Sequence, residues 1–341
     1  MKYVQTVTGA VAPEQLGKTM THDHLLWDQS CYWQVEPAEA SQRDFVHMKV
    51  APEMMHKLYY KQHQNRDNAV QTDVATAIEE AFRYKLAGGG AIVDVTPEGL
   101  GRDPDGLREI SIATGLHIIM GCGFYIKPSH PKRIRDMTKE QIAGEIIREI
   151  RDGVGVNRIK PGIIGEIGVN SMDCAEEVNA LRGAAITQRE TGLALSVHPP
   201  IVEDGKVLDI IEEEGGDLSK VVMCHLDRSH EKPSYHDAIA KRGAFVEYDT
   251  FGYDFPVGFF WMPRDVERII GLKRQIDMGN LKSLVVSQDI AFKSCLVRHG
   301  GFGYAHILRD LPPFMLNKGI TYDEMDAITI ENPKRLLSIE G

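Results

Sequence analysis

No apolar run in this chain approaches the roughly 18 residues that a membrane span requires. The N-terminus, Met-Lys-Tyr-Val-Gln-Thr-Val-Thr-Gly, also lacks the apolar stretch of an export signal. A soluble cytoplasmic protein with no membrane partner is the expectation. Positive charge is scarce: 39 lysines and arginines face 49 aspartates and glutamates, a net charge of −10. With no basic patch to meet a phosphate backbone, nucleic acid is not an expected partner and a small-molecule substrate is. The five cysteines (Cys31, Cys122, Cys174, Cys224, Cys295) are odd in number, widely spaced and form no Cys-x-x-Cys. That spacing argues against both a disulfide framework and a thiolate zinc site. No Gly-x-Gly-x-x-Gly follows the first strand-like run, so a dinucleotide fingerprint is missing. The run Gly88-Gly89-Gly90 follows a helical stretch and precedes a strand, the wrong side for phosphate binding, and reads as a helix stop. Low-complexity sequence is absent, and 43% hydrophobic with 26% charged residues is ample for a large core.

What the chain does have is a repeated alternation. Apolar runs of strand length occur at Lys18–Leu25, Ala91–Pro97, His117–Tyr125, Gly162–Gly168, Ala194–Pro200, Val221–Asp227, Phe245–Gly252 and Leu284–Ile290. Between them lie stretches with helical periodicity, such as Asp73–Leu86, Lys139–Ile150 and Cys174–Glu190. Strand followed by helix means parallel strands with right-handed crossovers. The count of eight predicts an α/β protein with a (β/α)8 TIM barrel over residues 1–341, a single domain. Residues 1–17 are expected to form a short β-hairpin under the barrel. Residues 28–72 form an insertion after the first strand, rich in aromatics and methionine (Trp27 beside it, then Tyr32, Trp33, Met48, Met54, Met55, Tyr59, Tyr60). Such insertions roof a catalytic face. The loop from Phe251 to Pro263 carries Phe251, Tyr253, Phe255, Phe259, Phe260 and Trp261, candidates for an apolar pocket wall or for packing the loops onto the barrel.

The polar candidates gather where these runs end, the place where barrel enzymes assemble their sites. His22 and His24 stand in Thr-His-Asp-His, His198 in Ser-Val-His-Pro-Pro and His225 in Cys-His-Leu-Asp; Glu166 and Asp289 end two further runs. In an extended strand, residues two apart share a face, so His22 and His24 would project together while Asp23 turns away. With the other four they read as a divalent-metal site, since imidazole and carboxylate are ordinary ligands of such ions. Cys224, beside His225, is expected to face the covering helices as a small buried hydrophobe.

These residues, together with Gly162-Ile163-Ile164-Gly165-Glu166-Ile167-Gly168, His225-Leu226-Asp227-Arg228, Val246-Glu247-Tyr248-Asp249-Thr250-Phe251-Gly252, Gly300-Gly301-Phe302-Gly303-Tyr304 and Glu331-Asn332-Pro333, resemble the phosphotriesterase family of the amidohydrolase superfamily. The likeness is greatest to its phosphotriesterase-related, resiniferatoxin-binding-like members. It implies a binuclear metal hydrolase: His22, His24 and Asp289 on a buried ion, His198 and His225 on an exposed one, and Glu166 bridging where many relatives carry a carboxylated lysine. Lys160 lies too early to take that place. The resemblance also implies a metal-bridging hydroxide as nucleophile, Asp289 as catalytic acid and base, an aromatic near the reacting group at Tyr125, and a homodimer. The donor set makes Zn2+ the default, with Mn2+, Co2+ or Fe2+ fitting the same ligands and no organic cofactor.

Two positions depart from the organophosphate-degrading members, Arg228 where they carry an aspartate and Thr250 where they carry a histidine. An arginine at 228 suits a bidentate clamp on a substrate carboxylate or sulfonate, with Tyr248 assisting; a structural ion pair is the alternative. The expected reaction is hydrolysis of a carboxyl ester, lactone or amide, including N-acyl anionic compounds. Phosphotriester hydrolysis and a non-catalytic ligand-binding role are the alternatives.

Overall fold

The computed structural model describes residues 2–32, 39–201, 204–258 and 260–341; Trp33 and Phe259 therefore fall outside the described residues. Eight strands, Lys18–Asp23, Gly89–Asp94, His117–Cys122, Ile163–Gly168, Leu195–His198, Val221–Met223, Phe245–Tyr248 and Leu284–Val286, form one parallel sheet whose spatial order follows chain order. They are called the first to eighth barrel strands below. Each predicted run outlasts its ladder at the C-terminal end or is matched to within a residue or two, because the polar residues that follow leave the sheet.

Hydrogen-bonded ladders link neighbours from the first strand to the eighth. The seam between the eighth and the first is closed differently. Asp289 N donates to His22 O at 3.1 Å, Ser287 Oγ donates to Asp23 at 2.9 Å, and Ile290 N donates to the other Asp23 oxygen at 3.0 Å. Side chains and single backbone bonds do here what a ladder does elsewhere.

The crossover helices begin and end where local chemistry says they should. Val74–Leu86 is capped by Asp73, whose carboxylate accepts from Thr76 N, and Lys139–Asp152 starts in a Thr138/Gln141 capping box. Ala175–Thr191 stops at Gly192 in the left-handed region. The triple glycine has a double use. Gly88 takes φ +92° past the helix, and Gly90 lies so close to the first strand's approach that a Cβ would sit 2.0 Å from Leu16 O.

Alternation divides the apolar residues into two layers. One side of the strands packs against the helices, through Met20, Ile92, Met120, Ile164, Leu195 and their neighbours. The other fills the barrel interior with Ala91, Val93, Ile119, Ile163, Val222 and Phe245. Below, Val4 from the N-terminal hairpin (Lys2–Thr6 with Gly9–Val11), Leu16, Leu336 and Leu337 plug the same interior cluster. Ile339–Glu340 adds a third strand to the hairpin. No helix among the described residues is long and apolar enough to cross a membrane.

Candidate metal centre and substrate cavity

Local irregularities, more than regular strand, deliver the polar side chains. A register shift between Met20 and Asp23 interrupts the first barrel strand. Beyond it the His22 and His24 rings stand edge to face, centroids 5.8 Å apart, while Asp23 bonds across the seam. A second shift, between Ile164 and Ile167, takes Glu166 out of step with those two outward-packed neighbours. Glycine is needed there: Gly165 has φ +135°, and a Cβ on it would lie 2.6 Å from Ser196 O. His225 and Asp289 have φ of 56° and 47°, left-handed values rare for residues with a side chain. That turn swings both into the cavity at the strand ends.

The six side chains converge. Glu166 Oε1 lies 2.9 Å from His198 Nδ1, 2.9 Å from His225 Nε2 and 3.7 Å from His22 Nε2. Asp289 Oδ1 is 3.3 Å from His24 Nε2 and 3.7 Å from His22 Nε2. His22 thus belongs to three overlapping donor sets, His22/His24/Asp289, His22/Glu166/His225 and His22/Cys224/Glu247/Asp249, each with ligand atoms within 4.8 Å of one another. Outer partners hold the rings. His24 Nδ1 meets Thr96 Oγ1 at 2.8 Å, and Asp249 accepts from both the backbone N and the Nδ1 of His225 at 2.9 Å. Fixing the far nitrogen of an imidazole sets which nitrogen faces an ion.

The charges around these groups favour a cation. Burial opposes charge on the Glu166 carboxyl, yet His22, His198 and His225 hold it well below the usual carboxylate range. Burial also opposes charge on His22, but the Cys224 thiol, Glu166 and Asp249 raise its pKa well above the ordinary value. His225 is pushed well down by burial and then by Arg228, toward the neutral form that ligates. Both ring nitrogens of His22 are fully buried without a hydrogen-bond partner among the described residues. An imidazole orphaned among four carboxylates, Glu166 and Asp289 near Nε2 and Glu247 and Asp249 near Nδ1, is what a divalent-ion site looks like from the protein's side, and the donor set fits.

Above the cluster opens a cavity of about 280 Å3. Tyr32, His63 and Gln29 from the insertion form one wall, and Tyr253, Phe260 and Phe292 form much of another. Arg228 also lines it, and among the described residues no carboxylate pairs with its guanidinium. The structural ion pair considered for it is therefore not found there.

The model of the Phosphotriesterase family matches residues 2–337. The chain belongs to that family. An N-acetyltaurine hydrolase of Xenopus tropicalis is 38% identical over 348 residues, 99% of this chain and 98% of that protein. A phosphotriesterase-related protein of Nematostella vectensis is 34% identical over 98% of both. The solved structure of a resiniferatoxin-binding protein from Rhodobacter sphaeroides superposes with a TM-score of 0.95 at 36% identity, covering 98% of this chain and 94% of that one. With such relatives the chain is a hydrolase.

Within this family member, two expectations need correcting. Tyr248 does not reach the cavity: it alternates with the interior residues Phe245, Glu247 and Asp249, so it points outward, where it is fully buried and meets His236 Nδ1 at 3.0 Å. Cys224 does not face the helices. It lies in the interior cluster in step with Val222, its thiol 3.0 Å from Ser196 Oγ. His225 would have pointed outward by the same alternation, and its left-handed backbone overrides that parity. Tyr125 does line the cavity, its hydroxyl 3.2 Å from His198 Nδ1 and 2.5 Å from that of Tyr32.

Sequence reasoning placed Tyr32 in the insertion over the catalytic face but missed Gln29 and His63 as cavity residues, since the insertion has no periodicity to place them. It also missed Asp227, buried against Arg268 at 2.8 Å. Arg268 in turn donates to Thr250 Oγ1 at 2.9 Å, which ties Thr250 into a charged network.

Proposed function

We propose that this chain is a binuclear-metal amidohydrolase acting on N-acyl derivatives of small amines that carry an anionic group, with N-acetyltaurine as the reference substrate. The observation that carries the reading is Arg228, a guanidinium without a carboxylate partner among the described residues, on the wall of the cavity that holds the six candidate ligands. Its planar donor fork matches a sulfonate or carboxylate. The hydrolase relatives that share nearly the whole chain support the same class of amide.

His22, His24 and Asp289 would hold one divalent ion, His198 and His225 a second, with Glu166 between them; Zn2+ is the default for such donors, with Mn2+, Co2+ or Fe2+ as alternatives. When bound, such ions acidify a shared water and polarise the acyl carbonyl. Asp289 then accepts the proton released as water oxygen bonds to the carbonyl carbon, and returns it to the amine nitrogen as the C–N bond breaks. Arg228 anchors the anionic end, and Tyr125 stands beside the reacting group with its hydroxyl fixed by Tyr32 and His198. The resemblance to the family supports a homodimer, which light scattering would check.

The test is a panel assayed with metal-loaded enzyme: N-acetyltaurine, an N-acetyl amino acid, a neutral lactone and a phosphotriester. Turnover of the anionic amides should lead. Phosphotriester hydrolysis outrunning every carbonyl substrate would sink the reading. Replacing Arg228→Ala should raise KM about tenfold or more for the anionic amides and far less for the lactone; equal losses on both would remove the clamp.

A further inference from the structure

We propose that the carboxamide of Gln29 reads the N–H of the substrate's scissile amide, so that the cavity selects secondary amides over esters, lactones and phosphotriesters. This rests on the amidohydrolase reading above. Gln29 follows the two-residue ribbon Trp27–Asp28, which pairs with Val70–Gln71, and its own backbone N donates to Ala69 O at 2.9 Å. The backbone is therefore held from two directions. Its side chain is only 7% exposed and lines the same cavity as His24, Glu166, His198, His225 and Asp289.

What sets this side chain apart is that it bonds to nothing among the described residues. Among the described residues Gln29 Oε1 is buried with no hydrogen-bond partner and Nε2 makes no bond. The other polar groups on the wall are engaged or open to water. Tyr32 and Tyr125 hold each other's hydroxyls. Thr250 Oγ1 donates to Asp227 and accepts from Arg268. His63 is held neutral, its pKa pushed down to about 4 by burial, but its ring is half-buried, within reach of solvent. Arg228 has donors and no acceptor. Among the described residues, Gln29 thus contributes the one carboxamide on this wall that is more than nine-tenths buried and unpaired.

A buried acceptor left unpaired is unfavourable, and native proteins keep few of them. The terminal torsion of glutamine is broad, so either end of the group can turn to the cavity. A secondary amide brings one N–H to satisfy the oxygen. Esters, lactones and phosphotriesters bring none, and a site built to receive a donor rejects the isostere that lacks it. Arg228 would then recognise the charge on the substrate, and Gln29 the kind of bond to be broken.

The test compares N-acetyltaurine with its oxygen isostere, the acetate ester of 2-hydroxyethanesulfonate. The two share acyl group, anion and chain length and differ in N–H against O. The ratio of kcat/KM values, amide over ester, cancels general damage to the site. Gln29→Met, near in size and without hydrogen-bonding groups, should lower that ratio at least tenfold, while Gln29→Glu, which keeps an acceptor and loses the donor, should hold it within about threefold. An unchanged ratio in Gln29→Met overturns the proposal, as does an equal fall in Gln29→Glu, which would assign the role to Nε2. N-methylation of the substrate amide removes the same hydrogen without touching the fold, and wild-type enzyme should lose at least tenfold on it; no loss again overturns the proposal. If wild-type enzyme hydrolyses neither the amide nor the ester, the amidohydrolase reading falls and this inference with it. If it hydrolyses both and the ratio never moves, only Gln29 is acquitted.

Discussion

At the N-terminal end of the barrel the interior is filled by Val4, Leu16, Ala91, Ile163, Phe245 and Leu336, all buried and apolar. At the C-terminal end of the same strands it holds Glu166, Glu247, Asp249, His22 and His225, equally buried and ionisable. Single strands show the change. Phe245, Glu247 and Asp249 follow one another at two-residue intervals on the seventh, as do Ala194, Ser196 and His198 on and before the fifth. One alternation, continued from bottom to top, carries first a hydrophobic plug and then a cluster of buried charges. Burial stabilises the lower half. In the upper half burial and neighbouring carboxylates push the Asp249 carboxyl well above its ordinary range, so that end persists through what the lower end supplies and what it binds.

Substitution at each end should therefore break different properties. The largest effect is expected from Glu166→Gln. Activity should fall about 1000-fold or more, beyond the roughly 10–100-fold typical of losing a partner that only orients a ligand. Metal analysis should show the bound ions falling below two. The metal-free variant should melt somewhat lower than metal-free wild type, because the histidines that hold the Glu166 charge lose their partner. A drop in thermal midpoint alongside full metal content would erase the contrast between the ends.

The bottom end should answer in the opposite currency. Leu336→Ala, at a fully buried position in the interior cluster, should destabilise by about 3 kcal/mol in denaturant unfolding, within the range for cavity-forming changes. The kcat of the folded fraction should stay within about twofold. Between these lies Asp249→Asn, which keeps the shape but weakens the hold on the His225 ring. Metal affinity should fall roughly 10–100-fold by competitive chelation, with little change in denaturant midpoint.

How far the sequence foretold this arrangement also differs between regions. The run count predicts the barrel, and the ends of the runs place His22, His198 and Glu166 at the cavity's edge. The parity rule that pairs His22 with His24, applied to the seventh strand, would have turned Tyr248 outward, since it sits between Glu247 and Asp249. His225 lies beyond it, because a left-handed backbone there is a property of the folded loop and leaves no periodic trace, and Cys224 is misplaced only by being set opposite His225. The insertion was opaque for a related reason. Gln29, Tyr32 and His63 come from short ribbons and turns whose placement depends on contacts far along the chain, such as Asn68 with Ser294 at 2.8 Å.

That insertion supplies the smallest and most local prediction. Asp67 fastens the roof to the barrel: it accepts from Val50 N at 2.9 Å, from Lys49 at 2.8 Å and from Lys293, in the loop after the eighth strand, at 3.0 Å. Burial opposes its charge, but Lys49, Val50 N and Lys293 together bring its pKa down from 3.8 to about 2. A carboxyl depressed in the folded state contributes stability that is present above its unfolded pKa and disappears as pH falls through its folded value. Allowing for solvent screening at this partly open site, the contribution is about 1 kcal/mol. Wild type should therefore exceed Asp67→Asn by that amount in urea unfolding at pH 5 to 7. The gap should shrink to about half near pH 3 and close near pH 2. A gap constant from pH 7 to pH 3 would show that the side chain acts through hydrogen bonds the asparagine preserves or through packing. In that case the roof would resemble the apolar end of the barrel more than the charged one.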